Sequence, residues 1–225
     1  MSTQQPAPSR ATVEHIVRQA VYARLGKPLP RTAAAPNPLV VNVSARHCHL
    51  TPVAVDALFG NGYQLKVDRW LHQAGHFAAE ETVTIIGPRS RVISNLRILG
   101  PCRSYTQVDL AYSDGIALGF TLPHRLSSDV TGTIGCMLLG PAGFFEMTEG
   151  VIRAMRHVHM GLDDAAFYGV KAGDALRLKV GGPGALTLDR VLVRTDPSFR
   201  LEVHIDTDEA NACDLRPDTP CELMK

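Results

Sequence analysis

An internal repeat constrains the fold of this chain more than any other feature of the sequence. RHCHLTPVAVDALFG (residues 46–60) and RHVHMGLDDAAFYG (156–169) both begin with Arg-His-x-His and a long apolar residue. Both continue as a short helical pattern that ends in an aromatic residue and Gly. Further along each half, TQVDLAYSD (106–114) aligns with LEVHIDTDE (201–209). Such self-similarity predicts two structurally similar halves. The first half is the longer one, and the stretch at 62–78 accounts for the excess.

Short strand-like runs dominate the chain from Leu39 onward. They are β-branched or alternating, and Gly, Pro or Asp lies between many of them. The runs lie at 39–43, 82–87, 91–100, 106–112, 116–122, 175–180, 186–194 and 200–206. Helical patterns are short, at 51–60 and 162–169. We therefore predict a mainly β protein with two small β-barrel domains, related by the repeat, rather than a doubly wound α/β sheet.

The N-terminal segment has a different character. Residues 11–25 carry apolar side chains on one face of a predicted helix, and Gly26 follows where a helix would end. Residues 27–39 hold four prolines and three consecutive alanines, a composition typical of an extended linker. We expect residues 1–38 to be an amphipathic helix and its linker. The helix would dock on a partner, or else fold back on its own domain or dimerise.

Composition excludes several classes of protein. The net charge of +1 offers no electrostatic basis for binding nucleic acid or an anionic membrane. No apolar run approaches the roughly 18 residues of a membrane-spanning helix. Five cysteines without a CxxC motif, and a polar N-terminus, indicate a reduced cytosolic protein.

The two His-x-His pairs are candidate metal ligands. In a strand, residues i and i+2 share a face, so His47 and His49 can approach one cation while Cys48 faces away. His157 and His159 repeat the pattern. Imidazole suits Zn²⁺, and a carboxylate can complete its ligand set.

The alignment of the two later hairpins places Asp109 opposite His204. Each half would then contribute one further ligand-type residue. Asp206 follows His204 on the same strand face, where a carboxylate can orient a ligating imidazole.

Candidate anion-binding residues lie near these ligands. Arg103 stands in a Gly-Pro turn directly before the hairpin of Asp109, and guanidinium binds oxyanions with two parallel hydrogen bonds. Arg125, Ser127 and His76 are candidates for the rim of a substrate site. No phosphate-loop, dinucleotide-binding or serine-hydrolase motif occurs.

Six segments carry a resemblance to a known family. They are VSARHCHLT, QAGHFAAEETVTIIGP, LRILGPCRSYTQVDL, SDGIALGFTLPHRLS, EGVIRAMRHVHM and LEVHIDTDEANA. The chain resembles the PduL-type phosphotransacylases (phosphate propanoyltransferases) of bacterial microcompartments from about residue 38 to 213. This resemblance implies the reaction of acyl-CoA (propanoyl- or acetyl-CoA) and phosphate to acyl phosphate and coenzyme A. It also implies a cytoplasmic enzyme enclosed in a microcompartment, with residues 11–25 binding shell or cargo proteins, and we expect a homo-oligomer.

The resemblance also implies a site and a domain division. Two divalent metal ions, expected to be Zn²⁺, would lie between a discontinuous barrel (39–46 plus 152–225) and a second barrel (47–151). The family's ligands carry over onto His47, His49, His157, His159 and His204, with Asp109 as the bridging acid and Arg103 as the phosphate-binding residue. The family usually has Glu where this chain has Asp109, so the bridging geometry is expected to differ.

Two other functions fit the residues alone. A dinuclear metallohydrolase of phosphoesters or acyl phosphates could use the same ligands. A non-catalytic, metal-stabilised cargo module would account for the N-terminal helix and linker.

Overall fold

The computed structural model describes Val17, Arg24 and residues 38–225. The predicted helix at 11–25 and its linker lie outside the described residues, apart from Val17 and Arg24, which are helical and exposed.

Fourteen strands and four short helices make up the described part of the chain. In chain order the strands are β1 (Val40–Ser44), β2 (His47–His49), β3 (Val67–Trp70), β4 (Phe77–Ile86), β5 (Val92–Gly100), β6 (Gln107–Asp109), β7 (His124–Arg125), β8 (Ile134–Leu139), β9 (Phe144–Ala154), β10 (His157–Met160), β11 (Ala175–Val180), β12 (Leu186–Thr195), β13 (Glu202–Asp206) and β14 (Cys221–Met224). The helices are α1 (Pro52–Phe59), α2 (Tyr112–Leu118), α3 (Leu162–Tyr168) and α4 (Thr207–Ala212). The prediction of a mainly β fold is confirmed.

The strands form two curled sheets. In the larger sheet, β4, β5, β2, β6, β9 and β8 pair in a closed ring, and β3 and β7 pair at its margins. The other sheet has the order β1-β13-β10-β12-β11-β14 and forms a half-barrel, because no pairing joins β1 to β14 among the described residues. Each sheet encloses its own buried apolar cluster, one around Leu58, Ile85 and Ile98 and the other around Met160 and Leu178.

The two sheets exchange a strand. Strand β1 precedes the first His-x-His strand but pairs in parallel with β13 of the other sheet. Strand β9 precedes the second His-x-His strand but pairs in parallel with β6 of the first sheet. Sheet membership therefore changes between Ser44 and His47 and again between Ala154 and His157. The domain division expected at 46/47 and 151/152 stays a prediction, since sheet pairing does not define a folding unit.

The register of the two antiparallel strand pairs, β2 with β6 and β10 with β13, is equivalent in the two halves. His47 lies directly opposite Asp109, and His157 lies directly opposite His204. Directly opposite residues of antiparallel strands present their side chains on the same face. The alignment of the sequence repeat therefore agrees with the strand register.

The Arg before each His-x-His strand has a structural role. Arg46 forms an ion pair of 2.6 Å with Asp114 of α2, and Arg156 donates to Glu209 of α4 at 2.8 Å. Both carboxylates occupy the third position of a short helix, whose first turn they cap. Each arginine thus ties a His-x-His strand to the helix that follows the opposite strand, which explains why Arg recurs in the repeat.

Some sequence predictions of individual elements are wrong. The predicted strand at 116–122 is wrong, because Tyr112–Leu118 form α2. Asp114 accepts a hydrogen bond from the backbone N–H of Ala111 and caps the helix there. The apolar runs of β8 and β9 were not predicted to be strands, although they close the ring of the larger sheet. The excess length of the first half includes β3 and the loop at 71–76, as expected from the 62–78 stretch.

Candidate metal centre

The first cluster comprises His47, His49 and Asp109, whose ligand atoms lie within 4.8 Å of one another. His47 Nε2 is 3.3 Å from Asp109 Oδ2, and the two imidazole rings meet edge to face with centroids 5.0 Å apart. All three residues are buried. Cys48 between the histidines lies in the apolar core, as the strand alternation predicts.

The second cluster comprises His157, His159 and His204, whose ligand atoms also lie within 4.8 Å of one another. The three ring centroids are pairwise 4.9 Å apart. His159 stacks on Phe199 at 4.3 Å, which restricts the orientation of its ring.

Backbone carbonyls select the tautomers of three of these histidines. The Nδ1–H groups of His47 and His157 donate to the carbonyls of Ala45 (2.8 Å) and Met155 (2.9 Å). Each carbonyl belongs to the residue two positions earlier, so the halves repeat this contact as well. His49 Nδ1 donates to Leu99 at 3.1 Å. Since a carbonyl oxygen only accepts, Nε2 of each ring keeps its lone pair for a cation.

The unpartnered polar atoms fit a metal site. Among the described residues, the buried side-chain nitrogen and oxygen atoms without a hydrogen bond of good geometry are four, all in the two clusters: Asp109 Oδ1, His159 Nδ1, His159 Nε2 and His204 Nε2. The last of them lies beside a carboxylate, that of Glu202, so Asp109 and His159 carry the atoms without any partner. Buried polar atoms normally have partners, so this concentration indicates a missing binding partner. A divalent cation supplies one for nitrogen and carboxylate ligands.

Burial favours the neutral, metal-ligating form of three of the five histidines. Burial, together with the neighbouring His204, lowers the pKa of His157 to about 3. Burial, together with the neighbouring His204 and His157, lowers the pKa of His159 to about 2. Burial, His47 and Arg103 place the pKa of His49 well below its ordinary value.

Both clusters face one cavity of about 500 Å³. A small pocket lined by Asp109, His157 and His204 lies where the clusters approach each other. Arg103, His76 and Ser127, predicted from the sequence, all line the large cavity. Arg103 donates to Tyr105 Oη at 3.2 Å and to Ser127 Oγ at 3.4 Å.

Two predicted site residues have other polar partners in the structure. Arg125 is exposed, 3.9 Å from Asp129, and does not line the cavity. Asp206 lines the small pocket together with His204, but its carboxylate accepts from Arg153 Nε and from the Glu209 N–H of α4, both at 2.8 Å. The carboxylate beside His204 is Glu202, whose Oε2 lies 3.2 Å from His204 Nε2. Strand alternation allows either Glu202 or Asp206 to lie beside His204. Only the helix α4, which Asp206 caps, determines that the carboxylate beside His204 is that of Glu202.

Sequence reasoning missed Glu202 and Arg194. Glu202 is 1% exposed. Burial opposes its ionisation, but the His204 imidazole and the amides of Gln73 and Asn42 outweigh that penalty and lower the pKa of Glu202 to about 2.

Arg194 lies opposite His159 on β12 and lines the cavity. Burial lowers the pKa of Arg194, and the charge of the nearby Arg103 contributes to the shift. No carboxylate in the described residues pairs with Arg194 or Arg103. No sequence pattern singles out Glu202 or Arg194.

The chain is similar in sequence to known proteins of one family. The family model for phosphate propanoyltransferases matches residues 40–216. A phosphate propanoyltransferase of Planctopirus limnophila is 53% identical over 224 residues, covering 96% of this chain and 92% of the relative. Proteins of that name from Priestia megaterium (47% identical; 86% and 89% of the two chains) and Thermotoga maritima (46%; 79% and 84%) are also similar.

These matches define the chain as an enzyme that transfers acyl groups, a phosphotransacylase. More particularly, it belongs to the phosphate propanoyltransferase family. Among the described residues, no helix has both the length and the apolar character needed to cross a membrane.

Proposed function

We propose that this enzyme interconverts acyl-CoA and phosphate with acyl phosphate and coenzyme A, at a site that holds two divalent cations. Propanoyl-CoA is the acyl donor that the relatives' name supports, and acetyl-CoA is the shorter alternative. The observation that carries the proposal is the pair of ligand clusters on one cavity, together with the unpartnered buried atoms of Asp109 and His159.

The ligand assignment follows the clusters. His47, His49 and Asp109 would hold one cation, and His157, His159 and His204 would hold the other. Zn²⁺ suits five imidazoles and one carboxylate. Bound cations would supply Lewis acidity toward phosphate and the thioester carbonyl.

The arginines bind the attacking anion. Arg103 is oriented by Tyr105 and Ser127, and both Arg103 and Arg194 line the cavity that the clusters face. Neither guanidinium pairs with a carboxylate in the part of the chain that the structure describes, and such groups favour a tetrahedral oxyanion of high charge. Phosphate held there attacks the thioester carbonyl, the carbon–sulfur bond breaks, and coenzyme A leaves as the thiolate.

No protein nucleophile is required, because phosphate attacks directly. Cys48, although it lies between two predicted ligands, is 0% exposed, and burial raises the pKa of its thiol. Such a thiol is inert.

One assay separates this function from its alternatives. The purified enzyme is incubated with propanoyl-CoA or acetyl-CoA, with and without phosphate, while free thiol is followed. Release that depends on phosphate is expected of the transacylase. Release without phosphate would instead indicate the metallohydrolase. No release by a correctly folded, metal-loaded protein would favour the cargo module.

We further propose that residues 11–25 direct the enzyme into a bacterial microcompartment by binding shell or cargo proteins. The support is the apolar face of the predicted helix and the linker that follows it. A reporter carrying residues 1–38 should enter the compartment in shell-producing cells. A diffuse reporter beside encapsulated full-length enzyme would overturn this proposal. The expected homo-oligomer is tested separately by light scattering of the purified enzyme.

A further inference from the structure

The third ligand of each cluster and the residue two positions before it differ in charge between the halves. On β6 the pair is Gln107 and Asp109, and on β13 it is Glu202 and His204. Register makes these positions equivalent, since Asp109 lies opposite His47 as His204 lies opposite His157. Gln107 and Glu202 likewise lie opposite the second histidine of each His-x-His pair. Each strand therefore carries one carboxylate and one neutral ligand-type side chain, in exchanged order.

The neutral partner in the first half is rigidly held. Gln107 is 0% exposed, and its amide oxygen accepts from the backbone N–H of Ser128 at 2.8 Å. This orients its amide nitrogen, which donates to Asp109 Oδ2 at 2.7 Å. The other carboxylate oxygen, Oδ1, remains without a partner.

The charged partner in the second half is held equally firmly. Asn42 donates to Glu202 Oε1 at 3.0 Å, and Gln73 donates to Oε2 at 2.7 Å. Gln73 is fixed in turn, because it donates to the Arg200 carbonyl at 2.9 Å and accepts from the Arg200 N–H at 3.1 Å. The two amides are neutral, and no arginine or lysine of the described residues forms an ion pair with Glu202. His204 Nε2 is 3.2 Å away.

We propose that Glu202 is the positioning residue of the second metal site and supplies the negative charge that Asp109 supplies directly in the first. The carboxylate favours a proton on His204 Nε2, which leaves the Nδ1 lone pair for the cation and makes the imidazole a stronger ligand. Each cation then has one carboxylate associated with it. Asp109 binds the first cation directly, and Glu202 acts on the second through the His204 imidazole. This inference rests on the metal sites of the proposed function.

Zinc titration of the full-length protein against a chromophoric chelator tests the inference. Glu202→Gln preserves the shape of the side chain and removes only its charge. We expect it to weaken one of two zinc equivalents by about 10–100-fold, the usual effect of removing such a partner. The other equivalent should be unchanged. Unaltered affinity at both sites would overturn the inference.

Exchanging the order of the pair gives a second, independent test. His204→Asp alone places two carboxylates together and should weaken the second equivalent and the fold. The double variant Glu202→Gln with His204→Asp reproduces the Gln–Asp pair of β6. It should recover the second equivalent relative to His204→Asp, with the visible spectrum of a Co²⁺-substituted sample reporting the changed ligand set. A double variant that binds no better than His204→Asp would refute the charge exchange.

Failure of the metal sites themselves gives a different result, in which the wild-type protein binds no zinc. Failure of the inference alone leaves wild-type zinc binding normal and the Glu202→Gln variant unaffected.

Discussion

The two His-x-His strands occupy equivalent places in their sheets but meet different partners across the strand pair. His47 faces a carboxylate at Asp109, whereas His157 faces an imidazole at His204. Both retain the same backbone contact through Nδ1. The repeat therefore conserves the orientation of the His-x-His ligands and leaves the chemical type of the third ligand free.

The supports around the clusters also differ. Arg46 is about half exposed, with 47% of its side chain accessible, while Arg156 is 23% exposed and pairs with the buried Glu209. Near Arg156, Arg153 adds an ion pair with Asp206. The second half thus relies more on buried ion pairs, and the first relies on the closure of its ring of strands.

The largest expected effect comes from removing one ligand from each cluster. His157→Ala and His47→Ala should each lose one metal equivalent, measured by elemental analysis, and keep the other. In both variants kcat should fall at least about 100-fold, since loss of one strong electrostatic stabiliser has effects of that order. His124→Ala, an exposed histidine on β7, is the matched control and should be normal. Two bound metals and full turnover in either cluster variant would refute the ligand assignment.

A smaller effect is expected from the arginines that tie strands to helices. Arg156→Gln removes the nearer of two arginines from the buried carboxylate of Glu209 and leaves Arg153 at 3.6 Å, so it should reduce the free energy of unfolding by about 2 kcal/mol. Arg46→Gln breaks a more exposed pair and should cost less than about 1 kcal/mol. Urea denaturation of both variants measures the difference. Equal losses would show that the two halves are supported alike.

Phosphate binding should respond to the shape of the guanidinium. Arg103→Lys keeps the charge but loses the planar fork, so the KM for phosphate should rise about tenfold, the equivalent of one good hydrogen bond to a charged group. The KM for acyl-CoA should change less, and Arg194→Lys should act in the same direction. Arg125→Lys, away from the cavity, is the control. Unchanged phosphate kinetics in both cavity variants would exclude this anion site.

The smallest effect is expected from replacing Cys48, the residue between the predicted ligands His47 and His49. Cys48→Ala should leave kcat within about twofold of the wild type, because the buried thiol does not face the cavity. A loss of turnover without a loss of folding or of metal would show that Cys48 takes part in the chemistry.

Local periodicity was sufficient to predict several features. Alternation along a strand placed His47 and His49 on one face and Cys48 on the other, because successive side chains of a strand point to opposite faces. The repeat alignment also matches Asp109 with His204 from the sequence alone. Both inferences depend on spacing within short segments, which the sequence carries by itself.

Only the tertiary structure decided which neighbours complete the site. Asp206 and Glu202 stand at equal spacing from His204, but Asp206 caps α4 with its carboxylate, and Glu202 lies beside the His204 ring. Arg194 reaches the cavity because β12 pairs with β10, and the halves exchange β1 and β9 through contacts more than 40 residues apart in sequence. Such contacts depend on the register and closure of whole sheets, which local spacing does not specify.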